Sequence, residues 1–241
     1  MKTKHSKLIS ISIALILVMV SCSSPESNVI KNDKSQVKEI NTEADVPEID
    51  SLFTEEFELN TEENTGDGIQ LFKLDNEKSL VTWFCVTHTG YVKFKSGQLS
   101  MLDNKIVSGE FEIAMDSIRD TDIDYDLMRI VLENTLKSDS FFNVKTYPVS
   151  IIKLTHVKKI ESNKYLVGAN LFVNGKNSNV RLQTQIISND SSLLVLTDRF
   201  YIDRTKWGVT IYSRNFEQTD ESFLFTDSVS MKVTAVLNRI N

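Results

Sequence analysis

Histidine, cysteine, proline and tryptophan are all scarce in this 241-residue chain, with three, two, three and two copies respectively. Beyond His5, only His88 and His156 carry an imidazole, and no two histidines or cysteines fall at metal-ligand spacing, so no metal centre is expected. Two cysteines allow at most one disulfide, and the surroundings of Cys22 commit it to another role, which leaves Cys85 as a lone thiol. The apolar run from Leu8 to Val20 falls short of the roughly 20 residues that a spanning helix needs. Glycine-rich phosphate loops, a serine elbow and paired carboxylates at catalytic spacing are missing as well. Positive charge is also lacking where nucleic acid would need it. Net charge is −6, but residues 23–68 carry 13 Asp and Glu against three Lys, and the remainder beyond residue 68 is nearly neutral. A nearly neutral body argues against nucleic acid, which would need a basic face, so no nucleic-acid partner is expected.

Two groupings invite chemistry. Cys85 and His88 lie three apart, and on a continuous strand such residues point to opposite faces, so a nucleophilic pair is not expected. Asp120, Asp122, Asp124 and Asp126 alternate as in a calcium loop, yet the glycine and terminal glutamate of such a loop are absent. Helix capping accounts for at least two of them more simply: Thr121 and Asp124 resemble a capping box before a helix whose apolar side carries Leu127, Val131, Leu132 and Leu136. No catalytic residue is expected, and the chain does not read as an enzyme.

What is present divides into three parts. Residues 1–21 combine a basic start (MKTKHSK) with an apolar run that suits a secretory signal, and MVSC resembles the lipobox of bacterial lipoproteins, although Met19 stands where leucine is preferred. The resemblance implies lipidation at Cys22, hence a membrane partner and a bacterial cell-envelope location facing the periplasm or the cell surface. Residues 22–68 are acidic and polar, with Pro25 and Pro47, and read as a tether that buries too little apolar surface to fold alone. Within it, IDSLFTEEFEL has apolar residues at helical spacing.

From residue 69 to 241 the pattern is short alternating apolar segments broken by Gly, Asn and Asp. Strands are expected at 80–88, 91–101, 106–115, 149–157, 165–173, 180–187, 193–202 and 228–237, with the helix after the third. Asn174–Gly175 marks one hairpin, and Pro148 precedes the fourth strand, where no ladder donor is needed. Eight strands of this kind predict an all-β fold, a closed antiparallel barrel with one inserted helix.

Five segments in order resemble the YceI-like family: SLVTWFCVTHTG, SGEFEIAMDSI, LKSDSFFNVKTYPVSIIKL, LFVNGKNSNVRLQTQI and IDRTKWG. Ala114 stands where an acidic residue is common, and Ser140 and Asn143 where aspartate is common. The resemblance implies a lipocalin-like, periplasmic, polyisoprenoid-binding barrel whose interior takes an isoprenoid tail such as that of a quinone or carrier lipid, with no other cofactor. Alternation and position nominate Trp83, Cys85, Phe94, Phe111, Ile113, Phe200 and Ile202 as interior residues, with Leu132, Leu136, Phe141 and Phe142 as a lid. Arg204 and Trp207 are candidates for the mouth or a ligand head group, or else a turn held by an Asp–Arg contact with Trp207 plugging the barrel end. Thirteen phenylalanines fill a barrel as easily as they line one. A side-chain-filled structural or partner-binding module therefore stays open as an alternative, as does an enzyme acting on a lipid in the cavity; a homodimer is compatible with the sequence.

Overall fold

The computed structural model describes residues 68–86, 88–216 and 225–240. The signal segment, Cys22, the tether and the IDSLFTEEFEL segment lie outside the described residues. In chain order the elements are β1 (Gln70–Leu74), β2 (Leu80–Cys85), β3 (His88–Leu102), β4 (Lys105–Asp120), α1 (Asp126–Lys137), β5 (Val149–Lys159), β6 (Lys164–Val173), β7 (Lys176–Ser188), β8 (Ser192–Thr197), β9 (Phe200–Asp203) and β10 (Ser228–Ile240).

Neighbouring strands from β2 to β8 pair antiparallel in sequence order, and β10 closes the ring by pairing with both β8 and β2. Eight positions form the wall, and two of them hold broken strands. Beyond the start of β2, β1 takes over the same place between β10 and β3. Likewise β9 continues the line of β8 along β10. The result is the expected closed eight-stranded antiparallel barrel with one helix.

Three expectations about the elements need correction. The helix follows the fourth strand, because QLFKL forms β1, a five-residue strand too short to stand out by alternation. The 193–202 segment is interrupted at Asp198–Arg199, which part β8 from β9. And β2 stops at Cys85: the chain reverses there, with Val86 at φ 58°, and His88 already opens β3.

Cross-strand register explains where bulk is tolerated. Trp83 lies opposite Gly90, and Phe111 opposite Gly97. A Cβ on Gly90 would fall 2.0 Å from the Arg119 carbonyl oxygen and 2.4 Å from the Trp83 ring; on Gly97 it would fall 2.3 Å from the Phe111 ring. Each glycine thus gives the facing aromatic its place. Phe111 also meets Phe94 edge-on at 6.2 Å between ring centroids. Around that pair Leu99, Leu154, Leu182 and Leu237 pack into the end of the barrel where β1 begins.

The other end carries α1. Its capping box does not form: Tyr125 is the N-cap residue and makes no side-chain cap. Asp120 organises the approach instead, its Oδ1 accepting from the backbone N–H of Asp122 (3.2 Å) and Ile123 (2.9 Å). The helix is also turned away from the expected side. Leu127 and Val131 are 61% and 55% exposed, while Leu132 and Leu136 face the barrel and Glu133 is buried. At 100° per residue Leu127 and Val131 form a stripe distinct from that of Leu132 and Leu136. Glu133 settles which stripe faces in: it accepts from the Asp120 N–H (3.2 Å) and lies 3.5 Å from Arg119 Nε and 3.8 Å from Arg129 Nε. That charged anchor fixes the helix on the end of β4.

Candidate ligand-binding cavity

Between α1, the turn after it and the upper barrel wall lies a cavity of about 290 Å³. Its sides are Trp83 and Cys85 from β2, His88 and Val92 from β3, Ile113, Met115 and Ile118 from β4, and Leu171 and Val173 from β6. Leu132 and Leu136 of α1, with Phe141 and Phe142 of the following turn, cover it. That turn is held by backbone bonds from Phe142 N–H to Leu136 O and from Val144 N–H to Lys137 O, with Asn143 at φ 45°. Asparagine tolerates this left-handed conformation better than most side chains do. Phe141 then meets Tyr212, and Tyr212 meets Phe225, at centroid distances of 6.4 and 5.4 Å. A row of aromatic rings thus ties the lid to the far rim.

The far rim is the 3-10 turn Arg204–Trp207. Asp203 caps it, its Oδ1 accepting from the Thr205 N–H (2.9 Å) and hydroxyl (2.6 Å). Arg204 does not pair with Asp203, as an Asp–Arg contact within the turn would require. It is buried, its Nη1 donates to the carbonyls of Val209 and Ile211, and its Nη2 lies 3.1 Å from Asp227. Its guanidinium is therefore held mainly by the protein, although Nη2 makes no hydrogen bond among the described residues and the side chain lines the cavity. Trp207 is 2% exposed and donates from Nε1 to the Leu171 carbonyl at 2.7 Å. It plugs the wall.

The cavity is almost wholly apolar, and its polar groups are few. Trp83 Nε1, Ser150 Oγ and Arg204 Nη2 belong to side chains that line it, and each is buried with no hydrogen-bond partner among the described residues. Burial raises the Cys85 thiol above its usual range, with the nearby Arg204 charge opposing in part. His88, at the rim, lies 3.2 Å from Asp122 Oδ2 and 3.7 Å from Asp120 Oδ2 through Nδ1. The Thr89 N–H bonded to Asp122 at 2.7 Å is the main reason that its carboxyl sits below the usual range.

Of the nominated residues, Trp83, Cys85, Ile113, Leu132, Leu136, Phe141, Phe142, Ile202, Arg204 and Trp207 line this cavity. Phe94 and Phe111 do not: they border a separate void of about 60 Å³ towards the other end. Phe200 borders neither and packs against the core. Alternation assigns a side chain to the inner face but says nothing of its height along the bore. Cys85 and His88 also depart from expectation. They are directly paired across the β2–β3 hairpin and both line the cavity, because the chain reverses between them. The clustering of His88 with two aspartates more than 30 residues away was invisible to local spacing, which had given no ligand set.

A family model described as the YceI-like domain matches residues 72–237. Among solved structures, BcnA of Burkholderia cenocepacia is similar at 20% identity and a TM-score of 0.55, over 68% of this chain and 98% of that one. A domain from Saccharophagus degradans, described as a polyisoprenoid binding domain implicated in plant cell wall breakdown, is similar at 15% identity and a TM-score of 0.50, over 69% and 97%. At these identities the likeness is one of fold. No curated protein matches the chain.

Proposed function

Because the chain belongs to the YceI-like domain family, we propose that its barrel binds, without catalysis, a long apolar lipid of the isoprenoid class. The observation that carries this reading is the apolar cavity of about 290 Å³ beneath α1. Its size falls just below the range of about 300–1,000 Å³ for small-molecule sites. Each methylene taken from water into such a wall contributes about 0.8 kcal/mol, so affinity requires no reactive group. The Saccharophagus degradans relative, named for polyisoprenoid binding, supports the ligand class.

Trp83 and Ser150 line the cavity, but their Nε1 and hydroxyl lie buried behind its surface without hydrogen-bond partners among the described residues, and an unsatisfied buried donor costs about 1–3 kcal/mol. A quinone carbonyl or prenyl oxygen would accept from either. An isoprenoid quinone would combine a tail suited to the apolar wall with an oxygen able to reach these donors after a small side-chain shift. Transport or storage follows from the lipobox-like MVSC: acyl chains on Cys22 would hold the barrel at a bacterial envelope membrane.

Mass spectrometry of organic extracts from protein purified without detergent tests the binding. A stoichiometric isoprenoid is the expected result. Extracts free of lipid, together with no uptake of a quinone from vesicles, would overturn the proposal, and turnover of the extracted lipid would reassign the protein to an enzyme class. Replacing Cys22→Ala should move the protein from the membrane fraction to the soluble one.

A further inference from the structure

His88, Asp120 and Asp122 are unrelated in sequence spacing, yet the start of β3 and the end of β4 bring them together. Gly90 is the register partner of Asp120, and the Thr121 N–H donates to the Thr89 carbonyl at 2.9 Å. The ligand atoms of the three side chains all lie within 4.8 Å of one another.

Each carboxylate is oriented by the same device. Asp120 spends Oδ1 on two backbone N–H groups, and Asp122 spends Oδ1 on the Thr89 N–H. Both therefore turn Oδ2 towards His88 Nδ1, at 3.7 and 3.2 Å. One imidazole nitrogen carries at most one hydrogen, so it cannot serve both oxygens. The shorter contact, to Asp122, lies within hydrogen-bonding reach and the longer one does not. Asp120 is 1% exposed, and its Oδ2 is left buried without a hydrogen-bond partner. An ionised carboxylate oxygen in that condition is costly unless something positive meets it.

We propose that His88, Asp120 and Asp122 form a binding site for a divalent first-row transition-metal cation at the rim of the cavity. A tetrahedral cation with bonds of about 2.0–2.1 Å sets its donors roughly 3.3 Å apart, close to both measured separations. The imidazole nitrogen favours zinc-like ions over calcium or magnesium, which prefer all-oxygen surroundings. Three protein donors leave a fourth position open to water or to an oxygen of a bound molecule. Because His88 also lines the cavity, the cation sits against the ligand chamber. The site is independent of which lipid, if any, occupies that chamber.

The test uses the full chain, stripped with chelator and titrated calorimetrically with Zn²⁺, and separately with Mg²⁺ and Ca²⁺. One saturable Zn²⁺ site is expected, with no comparable response to the other two ions. His88→Gln and Asp122→Asn should each weaken it by at least about tenfold, since even indirect supports of a metal ligand carry that much. Asp122→Asn keeps an oxygen for the Thr89 N–H, which protects the fold. His156→Gln and Cys85→Ala should leave the affinity unchanged. Cobalt substitution of the unaltered protein is a second measurement: absorption of a nitrogen–oxygen site, without a thiolate band, is expected. Lack of saturable zinc binding, or binding that survives His88→Gln and Asp122→Asn in folded protein, would overturn the assignment, as would a thiolate band from Cys85.

Discussion

The two ends of the barrel share strands, alternation and closure, yet one is packed and the other hollow. At the β1 end, Phe94 and Phe111 meet edge-on among leucines and leave only about 60 Å³. At the α1 end, the same strands enclose about 290 Å³. Aromatic residues are not short there, but they are employed differently. Trp207 is fixed in the wall by the Leu171 carbonyl, and Phe141 is drawn into a row with Tyr212 and Phe225. A hollow is therefore a matter of where rings are anchored, not of how many there are.

The contrast can be broken most forcefully at the packed end. Phe111→Ala should cost about 3–5 kcal/mol, seen as a large fall in the denaturant midpoint, while the ligand content of the folded fraction stays unchanged. Leu237, fully buried near it, should lose about 2–5 kcal/mol on replacement by alanine. The hollow end should behave in the opposite manner. Leu136→Trp fills vacant space, so it should stay below the 1–3 kcal/mol typical of overpacking and yet abolish co-purified lipid. Leu132→Ala, at a cavity wall with few partners to lose, should cost less than about 2 kcal/mol. If Leu132→Ala proved as damaging as Leu237→Ala, the distinction between the ends would collapse.

The smallest expected effect concerns Cys85. Its raised thiol value means that the folded protein holds the proton beyond pH 9.0, the ordinary value, so the reactive thiolate is depleted at neutral pH. In the Cys22→Ala variant, where Cys85 is the single thiol, alkylation should be slower than for free cysteine and should rise with pH. The sign for stability follows: this contribution is complete below pH 9 and is lost as the pH climbs through the raised value. Lipid in the cavity should slow the alkylation further.

Alternation revealed most of the wall, because a sheet wet on one face must repeat every two residues. Eight barrel positions were legible for that reason, and the helix from apolar residues at helical spacing. The reversal after Cys85 was not, since Leu80–His88 is uniformly rich in strand formers and carries no turn residue at Val86. The facing of α1 was not legible either. It offers two apolar stripes, and the choice between them depends on Glu133 meeting Asp120 and Arg119, residues of another element. The His88 cluster is a further case of register, over more than 30 residues, creating what no local window contains.

Closure itself has a consequence in time. The last described strand, β10, pairs with β1, β2, β8 and β9, and some of its partners lie about 150 residues earlier, as Thr82 does from Lys232. Loop closure over such a separation is slow to achieve, and topologies dominated by distant pairs fold over milliseconds to seconds. Without the thirteen-residue β10 the barrel cannot close, and β2 and β8 each lack the partner that it supplies. A growing chain in that state is the form most exposed to aggregation. It is also the form in which the interior is widest open to a lipid.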